Sequence, residues 1–185
     1  MIMDFELVKG CQENNRLAQK KLYEKFYGRM MGVCLRYASN RNEAAEILNK
    51  GFLKVFNTIK NYTPNRGRLD SWIYKVMVNT AIDHHRAEFR YRNNIVEIEQ
   101  AYWVGDQSDV LHQISADEII ELVQRLTPAY RTVFNLYVME GMSHSQIAEE
   151  LGISEGTTKS NLAKARKKLQ VMLAELYKVN LSYAQ

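Results

Sequence analysis

"SHSQIAEELGISEGTTKSNLAKARKKL", residues 143–169, sets two short apolar periodicities on either side of Gly152 and then runs into a Lys/Arg cluster. Ser143 is a residue type that caps a helix, and Gln146 stands where a capping box needs its amide. Ile147, Ala148 and Leu151 share one face of the helix that follows. Gly152 ends that helix in the left-handed conformation that glycine tolerates best. Ile153 fills the angle, and Ser154 caps a second helix with Thr157 and Thr158 in its first turn. Thr158, Leu162, Ala165 and Leu169 form the inner face of the second helix, because their spacing follows the helical period. Lys159, Ser160, Ala163, Lys164 and Lys167 are left facing mainly outward. Short helix, glycine hinge and second helix make a helix-turn-helix, whose second helix lies in the major groove of DNA. Lysine and serine donate to base edges there, and small Ala163 permits close approach to a thymine methyl. Arg166, Lys167 and Lys168 suit phosphates, which supply the sequence-independent part of the affinity. The competing reading is a helical hairpin with a solvated basic face.

The rest of the chain also reads as helix. Asp4 is placed to cap a short first helix ending near "ENN". Residues 16–37 follow, with Leu17, Leu22, Phe26, Met30, Val33 and Tyr37 recurring every three to five positions. Asn40 caps a third helix, whose Ala44, Ile47, Leu48, Phe52, Val55 and Phe56 make a broad apolar stripe. "NYTPNRGR", residues 61–68, breaks the pattern through Pro64 and Gly67 into a polar, basic loop. A long helix resumes at Leu69. Residues 93–117 show only short apolar clusters and read as a linker. Helices resume near Asp117, stop before "LTPAYR" and continue from Pro128, a residue suited to a first helical turn.

Composition and charge agree with this layout. The 185 residues are 46% apolar with two prolines, which favours packed helices over a turn-rich β fold. Cys11 and Cys34 are too few and too far apart for a disulfide framework or a zinc knuckle, and read as small buried hydrophobes. No apolar run is long enough to span a bilayer and no signal peptide opens the chain, so a cytoplasmic protein without direct membrane insertion is expected. The net charge of +4 is segregated: 17 Lys/Arg against 9 Asp/Glu over 1–92, none against 7 over 93–124, and 8 against 5 over 125–185. Two basic helical blocks on either side of an acidic stretch suit two small domains that both meet a polyanion. A solvated acidic loop within one domain is the alternative. The expected fold is all-α, two small helical domains joined by a flexible acidic linker.

"GMSHSQIAEELGISEGTTKSNLAKARKKL" resembles the promoter-reading helix-turn-helix of bacterial RNA polymerase sigma factors of the extracytoplasmic-function (ECF) class, and "LTPAYRTVFNLYVMEG" is similar to the helices leading into it. Independently, "LYEKFYGRM", "EAAEILNKGFLKVF" and "SWIYKVMVNTAIDHHR" resemble, in order, the successive helices of that family's first domain. The resemblance implies a region 2-like domain over 1–92, a linker over 93–117 and a region 4-like domain over 118–178. It implies a factor without catalytic residues, metal or cofactor, which lends core RNA polymerase its promoter specificity. Its upstream-element residues are Thr157, Lys159, Ser160, Asn161, Ala163, Lys164, Arg166 and Lys167. The first domain is expected to capture unwound bases of the downstream element, with Tyr74 and Asn79 reading bases and Lys75, Arg86 and Arg90 holding the backbone. Aromatic faces, charge and a two-way amide are suited to gripping an unstacked base. Trp72 reads as core ahead of a base contact, and Arg66 and Arg68 either border the same strand or sit in a solvated turn. An anti-sigma protein, in many family members membrane-bound, is implied as a regulatory partner.

One stretch departs from the family pattern. Where members show a run like "DAEDLVQEVF", this chain has "EAAEILNKGF", so Ala45, Asn49 and Lys50 replace two acids and a glutamine. Polymerase docking is expected on this surface, through Glu43, Glu46, Asn49 and Lys50, and a reversed charge alters encounter rate and partner preference. Three other readings stay open from sequence. One is a helix-turn-helix regulator acting without sigma activity. The second is a metal-dependent phosphoesterase suggested by "DHH" at 83–85, although the further Asp and His clusters such an enzyme needs are missing. The third is an adaptor that binds polymerase or an anti-sigma protein without reading DNA.

Overall fold

The computed structural model describes residues 2–92 and 115–183, and all the regular structure among them is helical. The chain divides into two compact units, Met1–His84 and His85–Gln185. The acidic stretch expected to be a linker lies, from 93 to 114, outside the described residues.

In the first unit, α1 (Ile2–Gln12) packs on α2 (Arg16–Tyr37), and α2 on α3 (Arg41–Thr58). Asp4 therefore falls in the first turn of α1 rather than before it, a position that also suits an acidic residue type. Asn15 and Asn40 start the next two helices: Asn15 Oδ1 accepts from the Leu17 and Ala18 amides, and Asn40 Oδ1 from the Glu43 amide at 2.9 Å. Leu22, Phe26, Met30, Val33 and Tyr37 are buried as the period demands, whereas Leu17 is 61% exposed. Leu17 is in the first turn of α2, ahead of the stripe that the neighbouring helices cover. Phe56, at the far end of α3, is only half-buried. Both cysteines are buried; burial raises the Cys11 thiol above its ordinary value and pushes Cys34 up to about 12, leaving them unreactive.

A basic loop joins α3 to α4 (Leu69–Arg92) through two short 3-10 turns, Ile59–Asn61 and Pro64–Arg66. Gln12 Nε2 donates to the Ile59 and Tyr62 carbonyls, and the Tyr62 hydroxyl to the Gly67 carbonyl. Asp70 accepts from Arg29 of α2 at 3.0 Å and from Arg68 at 3.1 Å. The Arg68 guanidinium, with Arg29 and the Ser71 amide, holds the Asp70 carboxyl down to about 2. Between α3 and α4, Gly51 faces the fully buried Met77 so closely that a Cβ at 51 would overlap the Met77 sulfur.

In the second unit, Ser115 caps α5 (Ala116–Gln124) through a reciprocal box with Glu118. This cap starts the helix before Asp117, so the last two residues of the stretch expected to be linker are helical. Thr127 and Pro128 open α6 (Pro128–Val138), and Arg131, wholly buried, donates from Nη1 to the Gln124 carbonyl at the end of α5. Then come α7 (His144–Leu151) and α8 (Glu155–Tyr183), the latter running beyond residue 178. Among the described residues no helix is long and apolar enough to cross a membrane.

Two measurements probe this packing. Gly51→Val is expected to lower stability by about 2 kcal/mol through overpacking, and Met77→Ala in the same chain to restore most of it; a thermal melt of each variant reads the difference. Asp70→Asn is expected to destabilise at neutral pH. The native carboxyl titrates below its unfolded value of about 3.9, so its contribution is complete above that value and is lost as pH falls through about 2. The stability gap between wild type and Asp70→Asn should therefore close on acidification over that interval, as followed by urea unfolding.

Candidate nucleic-acid interface

The hinge read from the sequence has the geometry expected of it. Ser143 Oγ accepts from the Gln146 amide at 3.2 Å, and Gln146 Oε1 accepts from the Ser143 amide at 2.9 Å. Gly152 ends α7 at φ 68°, ψ 38°, with its amide bonded to the Ala148 carbonyl. Ser154 Oγ then accepts from the Thr157 amide at 3.0 Å and starts α8. Thr158, Leu162 and Ala165 are buried, and Leu169 packs on the cluster of Leu126, Tyr130 and Ala165.

The opposite face of α8 carries the residues expected to meet DNA. Lys159, Ser160, Ala163, Lys164 and Arg166 are exposed, and Thr157, Asn161 and Lys167 are half-buried. Their cations are held rather than loose. Lys164 and Lys168 lie over the Tyr130 ring at 5.9 and 5.4 Å, and Arg166 lies over Tyr137 at 5.6 Å. Lys159 pairs with Glu155 one turn earlier at 3.4 Å. Each cation–π contact at an exposed site is worth about 0.5–1 kcal/mol, enough to bias a long side chain toward one rotamer. Tyr130 and Tyr137, both on α6, were not among the residues singled out from sequence; their spacing of seven, two helical turns, placed them on one face.

On α4, Lys75, Asn79, Arg86 and Arg90 fall within an arc of about 60° by helical register. Lys75 and Asn79 are exposed. Arg86, half-buried, donates to the Glu150 carbonyl of α7 and from Nη2 to the Glu150 carboxylate at 2.7 Å. Tyr74 lies off this arc and is half-buried, its hydroxyl accepting from Arg36 Nη2 of α2 at 3.1 Å. Trp72, also half-buried, packs against Tyr62 of the basic loop with ring centroids 5.4 Å apart. Arg68 of that loop is tied to Asp70.

The four residues expected to meet polymerase behave differently from one another. Glu43 is largely an internal group: one carboxylate oxygen accepts from the Ser39 amide at 2.6 Å, and the other lies 3.3 Å from His84 Nε2 on α4. Glu46 and Lys50 form an ion pair at 2.6 Å along the helix, whose lysine holds the Glu46 carboxyl below its ordinary value. Asn49 is exposed. Leu53, one turn beyond Asn49 and Lys50, is 61% exposed at the C-terminal end of this surface, a residue the sequence reading passed over. The "DHH" run contributes to the same packing, with Asp83 paired to Lys54 of α3 at 2.7 Å and His84 to Glu43.

The sequence matches the family profile described as Sigma-70 region 2 over residues 22–91 and that of Sigma-70, region 4 over 116–169. Relatives are similar along most of the chain. The ECF RNA polymerase sigma-E factor of Haemophilus influenzae is 24% identical over 180 residues, covering 91% of this chain and 94% of the relative. The RNA polymerase sigma-H factor of Pseudomonas aeruginosa is 25% identical, covering 93% and 96%. The RNA polymerase sigma factor SigZ of Bacillus subtilis is 30% identical over 151 residues, 74% of this chain and 78% of the relative. The N-terminal match sets aside a regulator that uses its helix-turn-helix alone. With both regions present in order and a cationic helix behind a capped hinge, the chain belongs to the bacterial RNA polymerase sigma factors of the ECF class, which initiate transcription by bringing core RNA polymerase to promoter DNA.

Proposed function

We propose that residues 1–92 act as the region 2 domain on the melted downstream element, that 118–178 act as the region 4 domain on the duplex upstream element, and that 93–117 link them. The observation that carries this reading is the division of α8 into a buried inner face and an outer face of Lys159, Ser160, Ala163, Lys164 and Arg166. Lys159, Ser160 and Asn161 with Thr157 and Ala163 read base edges, because the N-terminal part of a recognition helix goes deepest into the groove. Lys164, Arg166 and Lys167 hold phosphates. On α4, Asn79 reads an unstacked base and Tyr74, on a different face with its hydroxyl held by Arg36, meets another, while Lys75, Arg86 and Arg90 track the strand. The factor has no chemistry of its own and acts in the cytoplasm, where the polymerase supplies catalysis. Its activity is limited by an anti-sigma protein that covers one or both surfaces.

Polymerase docking takes place on the exposed face of α3. Because Lys50 neutralises Glu46 within the helix and Glu43 is turned to His84, the docking surface is nearly uncharged. Apolar contact by Leu53 then matters more than in a relative with an acidic run, and Asn49 supplies polar contact beside it.

In run-off transcription with core polymerase on a promoter library, wild type should give RNA from defined starts. Lys159→Ala and Asn79→Ala should each reduce it about tenfold, the order of one lost base contact; undiminished transcripts from both would remove these assignments. In a titration with core polymerase, Leu53→Asp should weaken association about tenfold while Glu46→Ala changes it little. Equal losses from the two would show that the surface acts through charge after all.

A further inference from the structure

We propose that His144 is a proton-dependent contact to the DNA backbone, making the upstream-element domain bind more tightly as the medium becomes more acidic. The proposal rests on the reading that α8 enters the groove. His144 is the first residue of α7, and its Nδ1 lies 3.0 Å from Thr158 Oγ1 in the first turn of α8. The single hydroxyl proton of Thr158 is already committed, since Oγ1 donates to the Glu155 carbonyl at 2.8 Å. Toward the imidazole, Thr158 therefore accepts, and Nδ1 carries the hydrogen. Nε2 is left as the nitrogen that gains or loses a proton, and the bond to Thr158 survives in both states.

The ring is fixed from a second side. It stacks on Tyr137 of α6 with centroids 4.7 Å apart and planes 28° from parallel. Arg166 of α8 lies over the same Tyr137 ring, and Glu155, beside the Thr158 bond, pairs with Lys159. The titratable and charged groups around the imidazole are thus a tyrosine, an arginine and an internally neutralised Glu155–Lys159 pair. His144 is half-buried between exposed Ser143 and Ser145.

In a helix-turn-helix the first helix crosses the DNA backbone while the first turn of the second reaches the bases. His144 belongs to the one and is hydrogen-bonded to the other, so the phosphate line passes this side chain if α8 occupies the groove. On DNA, a phosphate supplies the opposite charge to Nε2–H. Binding and protonation then favour one another by linkage, with affinity rising as pH falls.

The test uses the full chain and a fluorescently labelled duplex that the wild-type protein has selected from a randomised pool. Anisotropy titrations at several salt concentrations are run at about pH 8 and about pH 6, the interval in which an imidazole changes charge. Wild type should gain about fivefold in affinity at the lower pH, with a salt slope steeper by about 0.9, the signature of one more neutralised phosphate. His144→Asn puts an amide donor where Nδ1 stands, preserving the bond to Thr158, but cannot titrate. Whatever its affinity at the higher pH, it should show no gain and no steeper salt slope at the lower. A gain that persists in His144→Asn, or wild-type binding indifferent to pH, overturns the proposal alone. Failure of folded wild-type protein to bind any duplex at either pH overturns it together with the groove reading.

Discussion

A glycine held at positive φ between two serine caps sets the geometry on which DNA reading by this chain depends. Gly152 ends α7 in a conformation that costs other residues roughly 1 kcal/mol or more, and Ser154 starts α8 two residues later. Because so few residues separate the helices, the angle between them cannot relax without losing either the left-handed turn or a cap. That rigidity orients the outer face of α8. Burial of Thr158, Leu162 and Ala165 holds the inner face, so the two faces are fixed by one rotation of one helix. The fully buried Arg131 adds a further constraint by closing the end of α5 onto α6.

The first unit solves a related problem, fixing α4 against α3. Gly51 and Met77 bring α3 and α4 together, and the pairs Lys54–Asp83 and Glu43–His84 cross the same boundary. Where the family run quoted above has valine, this chain has Gly51, and the volume missing there is occupied by the Met77 side chain. Methionine is suited to that exchange because its unbranched thioether fits irregular space. The departures in this segment are therefore of two kinds: one concerns packing, and the exchanges to Asn49 and Lys50 alter the exposed surface.

What could be read in advance was what is local. Caps, the glycine hinge and the helical period involve residues within four positions of one another, and they placed α2, α3, α4, α6, α7 and the start of α8. Side-chain partners distant in sequence were not legible. Tyr74 has an aromatic face that suggests stacking, but the bond from Arg36, on another helix, carries no periodic signal. Glu43 looked like part of an exposed acidic surface until His84 and the Ser39 amide were found on its two oxygens. Leu17 and Asp4 failed at helix ends, where neither burial nor capping follows from period alone.

The cations assigned to nucleic acid also share an electrostatic feature that composition conceals. Lys159 has Glu155 beside it, Arg68 and Arg29 share Asp70, and Lys164, Lys168 and Arg166 lie over tyrosine rings. A phosphate that approaches Lys159 or Arg68 must compete with an existing carboxylate, so the net gain is the difference between two ion pairs rather than a new one. For Lys164 and Arg166 the holding partner is an aromatic ring, which does not compete with a phosphate for their charge as a carboxylate does. On the proposed reading, backbone affinity is accordingly concentrated on Lys164 and Arg166. On the same proposed reading Lys159, restrained by Glu155, contributes through the direction of its hydrogen bond more than through its charge, which is what separates a base-reading lysine from a phosphate-holding one.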